Sequence, residues 1–235
     1  MGEKMMTMRK LGKKGRFANQ IFQYAYLRQE SGGEYQCPAW TGQLVFKLDD
    51  PTPTIGTPEL SYKFPKHSSY YNKKLFRSIF KPKRQLRMLL DDAIHEKAKG
   101  HTLVSLHLRR GDYGTFKRKS ARWCFVAPVD WYLAWLRERD IKNPILFISS
   151  EDKEIQKHFE SEYETFIWDK NFYWDFYTLT QCEHLLISNS TFSFAASMLN
   201  EQSSEFYRPR LSMKKLISYD PWDSPIVFKD ELYAV

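Results

Sequence analysis

The 235-residue sequence predicts an α/β fold built on a parallel sheet, and three observations carry that prediction. Short apolar runs alternate with helix-like stretches between residues 101 and 200. The connections between them are short, as in βαβ units. Polar clusters recur at the ends of the apolar runs, where open α/β sheets place their ligands.

The elements follow in order. "MMTMRKL" is expected to be a short strand, and a basic, glycine-punctuated loop, "GKKGRFANQ", comes next. In "NQIFQYAYLRQES", Ile21, Tyr24, Ala25 and Arg28 recur at helical spacing. Strand, glycine loop and helix in that order open a nucleotide-binding α/β unit. Residues 31–72 hold five of the eleven prolines and read as short strands and loops. "NKKLFRSIFKPKRQLRMLLDDAIHEKAKG" is basic and helical, interrupted at Pro82.

A second unit then begins. "HTLVSLHL" reads as a strand, "PVDWYLAWLRERD" as a helix with Asp130 in its first turn, and "NPILFISS" as a strand. "EDKEIQKHFESE" is expected to be a helix, "YETFIW" a strand, "DFYTLTQCE" a helix, "HLLIS" a strand and "FSFAASMLN" a helix. The expected organisation is a first α/β domain over 1–95, a second over 96–205 and a C-terminal tail over 206–235.

Composition narrows the function classes. A hydrophobic fraction of 42% with 16% aromatics excludes a disordered or fibrous chain. The net charge of +8 favours an anionic partner. Three cysteines, Cys37, Cys124 and Cys182, without C-x-x-C or histidine-rich spacing, give neither a disulfide framework nor a structural zinc site. The N-terminus lacks the apolar core of a signal peptide, and no 18 apolar residues run together. A soluble, cytoplasmic chain is the expectation.

Four polar groups are candidates for chemistry. His107, Arg109 and Arg110 close one strand; Ser149, Ser150 and Glu151 close the next. Asn189, Ser190, Thr191, Phe192 and Ser193 join the last strand to its helix. Gly15, Asn19 and Gln20 occupy the first strand-to-helix loop. Arginine's planar fork suits phosphate, and helix N-termini add free N–H groups and partial positive charge. Two arginines and two such termini suffice to hold a diphosphate without a metal. The chain has no Asp-x-Asp, and "GKKGRFANQ" matches neither GxxxxGK[ST] nor GxGxxG.

"GRFANQIFQYA" resembles the G-x-x-x-N-Q-x-x-x-Y-A motif of α-1,2-fucosyltransferases, and "HLRRGDY" resembles their H-x-R-R-x-D-Y signature. "DFYTLTQCEHLLISNSTFSFAASMLN" is similar to that family's third pattern, so the resemblance covers roughly residues 5–200. It implies a GT-B-like architecture, two Rossmann-type domains facing across a cleft, the first abbreviated. It also implies inverting transfer of fucose from GDP-fucose to a hydroxyl of a glycan or glycolipid acceptor, without a metal or other cofactor. Arg109 and Arg110 would hold the pyrophosphate, assisted by Ser193 and the helix beginning near Phe192. His107 would lie against the nucleoside. Glu151 takes the place of the family's guanine-reading acid, with Asp152 as the fallback. The family's two tryptophans are Phe194 and Ala195 here.

Asp112 is either a general base or the partner that orients an arginine; Asp169, Asp175 and Glu30 are further base candidates. Structural readings stand beside these: His107 as a core histidine, Asn19 and Gln20 as helix caps, the arginines as an ion-paired loop. Trp123, Trp131, Trp135, Tyr173 and Trp174 are either packing residues or sugar platforms. Asn189 begins an N-S-T sequon that its place between strand and helix makes unsuitable for glycosylation. Rival functions are another nucleotide-sugar donor, a nucleic-acid binder and an inactive glycan-binding scaffold. No nucleic-acid module accompanies the charge, so nucleic acid is not an expected partner. Residues 76–87 are either a solvated basic face or a contact with an anionic membrane. The oligomeric state is left open.

Overall fold

The structure is a computed structural model that describes residues 5–115 and 124–228. The chain divides into two units, Met1–Met88 with Trp222–Ser224, and Leu89–Pro221 with Pro225–Val235. The division thus falls within a helix at Met88, not after residue 95, and the chain returns briefly to the first unit near its end.

In the first unit, β1 (Met6–Thr7) leads into α1 (Phe17–Glu30) and then β2 (Tyr35–Gln36), which pairs with β1 in parallel. The expected opening is present, but the strands are two residues long. Gly15 has φ +80°, and a Cβ there would stand 2.6 Å from Cβ of Asn19, so only glycine makes this turn into α1. Short α2 (Gly42–Val45) and α3 (Lys73–Ile79) follow, with α3 capped by the Asn72 side chain, and α4 (Arg84–Ala98) runs from the first unit into the second. Aromatic rings replace an extended sheet as the organising core. Phe22 stacks on Phe64, and Phe76 packs against Phe22, Tyr71, Phe80 and Trp222.

The second unit runs β3 (Thr102–His107), α5 (Gly111–Thr115), α6 (Val129–Arg137), β4 (Pro144–Ser149), β5 (Glu164–Phe166), α7 (Phe172–Leu179), β6 (His184–Leu186), α8 (Thr191–Leu199), β7 (Phe206–Arg210) and β8 (Lys215–Tyr219). The strands form one sheet in the order β5-β4-β3-β6-β7-β8. All neighbours are parallel except β7 and β8. This is the doubly wound order, with its switch point between β3 and β6.

Period-2 alternation in β3 explains how the sheet is covered. Val104, Leu106 and Leu108 join a core with Tyr132, Leu136, Leu146, Ile148 and Phe159. Leu103, Ser105 and His107 alternate with them, and all are buried as well. A strand buried on both faces reads as a continuous apolar run, which is how "TLVSL" reads.

Two expectations need correction. Residues 206–219 are strands of the sheet and not a tail. The helix expected over 151–162 is a short 3-10 turn, Lys153–His158, capped by Asp152. Only Ile155 and Phe159 anchor that segment in the core, too little to hold a longer helix. Among the described residues no helix is long and apolar enough to cross a membrane.

Candidate functional site

The carboxyl ends of β3, β4 and β6 bring together most of the polar residues the sequence singled out. His107 ends β3 and is buried. Its Nδ1 lies 2.7 Å from the Ser188 hydroxyl and 2.8 Å from the Ser193 hydroxyl. Burial, then the neighbouring Arg109 and Arg110, push its pKa down to about 3, so the ring is neutral. The ring packs 5.4 Å from Phe192. Through Nδ1 the ring ties β3 to α8, the contact that the structural reading of His107 calls for. The Ser193 side chain is spent on the same tie.

Arg109 follows one residue beyond the strand. Its guanidinium pairs with two carboxylates, Nη2 with Asp112 at 2.5 Å and Nη1 with Glu151, and lies over the Tyr113 ring. The side chain is 14% exposed, and its buried Nε has no hydrogen-bond partner among the described residues. Arg110 turns back, its Nη1 donating to the Arg109 carbonyl at 3.2 Å, and burial lowers its pKa. Gly111, at φ +40°, makes the turn into α5. Asp112 is thus the orienting partner of an arginine.

Glu151 is held at the same strand end. Its carboxylate accepts from the Arg110 backbone N–H at 3.0 Å as well as pairing with Arg109. Asp152 caps the 3-10 turn, its side chain accepting from the Glu154 N–H. A different acid occupies the end of β4. Asp175, in the first turn of α7, accepts a 2.9 Å bond from the Ser149 hydroxyl. Burial raises its pKa to about 6, against the opposing effects of that bond and of Lys153. The sequence marked Asp175 only as one base candidate among several. Of the others, Asp169 pairs with Lys153, while Glu30 accepts from Tyr70 in the first unit.

The loop between β6 and α8 is also tightly held. Ser190 caps α8 by accepting from the Phe192 N–H at 3.3 Å. Thr191 opens the helix, half-buried. Asn189 is buried; its Oδ1 accepts from Arg208 Nη2 and the Phe228 N–H, and its amide donates to the Phe228 carbonyl. That burial agrees with its unsuitability for glycosylation. Its carbonyl accepts from the Tyr113 hydroxyl. Arg208, fully buried, also donates to the Pro225 carbonyl at 2.6 Å and lies 3.8 Å from the Phe228 ring centre. No motif announced Arg208 or Ser188.

Gly15, Asn19 and Gln20 belong to the first unit. The Gln20 amide donates to the Gly15 carbonyl at 3.0 Å and accepts from the Thr41 N–H at 3.3 Å, so it fastens its own loop. Trp135 and Tyr173 are buried, and Trp131 is partly buried against the core, which favours packing. Trp174, half-buried, packs 5.2 Å from Trp168. Trp123 lies outside the described residues.

The comparisons with known proteins bear on this arrangement. The fold is similar to that of the α-1,6-fucosyltransferase NodZ soaked with GDP-fucose, at 14% identity and a TM-score of 0.60, over 93% of this chain and 99% of that one. A structure of NodZ from Bradyrhizobium gives 12% identity and a TM-score of 0.57, over 94% and 100%. POFUT1 in complex with GDP gives 10% identity and a TM-score of 0.60, over 88% and 98%. These likenesses show an α/β fold of the GT-B type. No curated protein sequence matches the chain. The sequence profile of glycosyl transferase family 11 matches residues 34–207, a span that includes the arginine pair, Asp175 and the loop before α8. The chain belongs to glycosyl transferase family 11, the α-1,2-fucosyltransferase family.

Proposed function

We propose that this protein transfers fucose from GDP-fucose to a hydroxyl of a glycan or glycolipid acceptor, with inversion and without a metal. One observation carries the reading: Arg109 presents a mostly buried guanidinium, its Nε without a partner among the described residues, at the switch point of a doubly wound sheet in a family 11 chain. The low-dielectric surroundings strengthen its grip on an oxyanion, and Asp112 and the Tyr113 ring hold it in place.

In such a transfer the bond from the sugar's anomeric carbon to the diphosphate breaks as the acceptor oxygen attacks from the opposite face. Negative charge then grows on the departing diphosphate. Arg109, Arg110 and the N-terminus of α8 are the groups that meet that charge in this reading. Fixed donors of this kind each account for about 10²–10³ in rate.

Asp175 is the carboxylate assigned to the nucleobase. It is recessed at the end of β4, near Ser149 and next to Trp174, and it has the two acceptor oxygens that the N1–H and N2–H₂ edge of guanine requires. Adenine and uracil offer no such paired donors. His107, Ser188 and Ser193 act as the frame behind the diphosphate site, and Asn189 with Arg208 fixes the loop before α8.

A transfer assay with excess EDTA tests the reading, comparing GDP-fucose with UDP- and ADP-sugars over a panel of glycan acceptors. The expected result is a fucosylated product with anomeric configuration opposite to the donor's, from the guanosine donor alone. Equal transfer from uridine donors, or strict dependence on a divalent ion, would overturn it.

A further inference from the structure

The anion bound to Arg109 is the protein's own. Glu151 spans the Arg109 guanidinium and the Arg110 backbone N–H, lying over the turn at Gly111, where a Cβ would stand 3.4 Å from its carboxyl carbon. A carboxylate that bridges a guanidinium and an adjacent amide N–H engages the same kinds of donor that a phosphate oxygen would use. We propose that Glu151 is a built-in competitor for the donor's diphosphate, which must displace it from Arg109. The proposal rests on the donor reading above.

The two carboxylates on Arg109 are not equivalent. Asp112 lies three residues along the chain, on the first turn of α5, and is fixed to the same local turn. Glu151 comes from the end of another strand, and 37% of its side chain is exposed, so it can rotate into solvent without disturbing α5. Two carboxylates and a diphosphate cannot share one cation without strong mutual repulsion. One of the three must leave, and Glu151 has the path. Such exchange lowers affinity for the donor and for the departing nucleotide together, and it hastens product release.

Glu151→Gln is the informative variant, because its amide oxygen still accepts from the Arg110 N–H while the competing charge is gone. Calorimetric titration with GDP and with inorganic pyrophosphate, in EDTA, compares it with the wild type. Both ligands are expected to bind about 5- to 50-fold tighter, the range of one partly exposed charge-assisted contact. Glu154→Gln, which removes a nearby charge paired with Lys157, should leave both affinities within about twofold. Glu151→Ala should move both in the same direction as Glu151→Gln, so a folding defect peculiar to one variant cannot decide the result. Weaker GDP binding with unchanged pyrophosphate binding would mean that Glu151 reads the base, and would overturn the proposal. Unchanged affinity for both ligands would overturn it alone. Failure of every form to bind either ligand would overturn the donor reading and the competitor with it.

Discussion

The imidazole of His107 and the hydroxyl of Ser193 are 86 positions apart in the chain, yet 2.8 Å apart at the switch point of the second unit. With Ser188 they form a buried polar tie between the end of β3 and the first turns of α8. Replacing the ring by an apolar one of similar size strands two hydroxyls. His107→Leu is therefore expected to cost about 2–3 kcal/mol in denaturant unfolding.

The same ring sets a pH dependence. Its folded pKa, about 3, lies below the ordinary histidine value, so the unfolded chain binds a proton that the native state refuses. Its contribution is complete above about pH 6.5 and is lost as pH falls toward 3, at up to roughly 1.4 kcal/mol per pH unit. Urea midpoints measured between pH 4 and 7 should fall with acid in the wild type by more than in His107→Gln.

Asp175 acts with the opposite sign. Its folded pKa of about 6 exceeds the ordinary aspartate value, so the native state binds the extra proton between about pH 4 and 6. That contribution is complete below pH 4 and disappears as pH rises through 6. Between pH 4 and 6 the two slopes oppose each other. Asp175→Asn should steepen acid destabilisation and raise stability at pH 7.5 by on the order of 1–3 kcal/mol, while weakening binding of GDP but not of pyrophosphate.

Arg208 is a guanidinium with no exposure, surrounded by Phe194, Tyr219 and Phe228 and bonded to Asn189 and Pro225. Arg208→Met should destabilise the chain by about 3 kcal/mol or more, because the Asn189 and Pro225 oxygens lose a charged donor. Arg208→Lys should rescue little, since a single ammonium cannot reproduce a fork that reaches two separate acceptors. Thermal unfolding of both variants checks this.

The second unit was legible as far as its period was visible. β3, β4 and β6 are apolar runs between turn formers, and α6, α7 and α8 carry helical spacing, so their order predicted the sheet. β7 was hidden because "FYRPR" holds a proline and two arginines, one of them wholly buried. Pro209 is tolerated because β7 meets β6 only through Phe206 and Tyr207, which leaves its missing N–H outside that ladder. The first unit was harder to read, since ring packing around Phe76 leaves no regular period. At the site, the sequence placed Arg109, Arg110 and Asp112 correctly at a strand end. It could not show that Glu151 would turn onto Arg109, because that depends on the parallel register in which His107 faces Ser149. Nor could it show the bonds of His107 to Ser188 and Ser193, which lie more than 80 positions away in the chain.

The arginine pair supports the sharpest activity predictions. Arg109→Ala is expected to lower transfer about 10²–10³-fold, and Arg109→Lys to recover little of it. Asp112→Asn, which keeps the shape but loosens the orientation of Arg109, should cost less, on the order of tenfold, in kcat more than in KM.

The central claim is that Arg109 and its neighbours hold a guanosine diphosphate without help from a divalent ion. Calorimetric titration of GDP in EDTA, with the wild type and Arg109→Ala side by side, tests it most directly. The account predicts saturable binding to the wild type and at least about 100-fold weaker binding to a folded Arg109→Ala. Equal affinity in the two proteins, or binding that appears only when a divalent metal is restored, would contradict it.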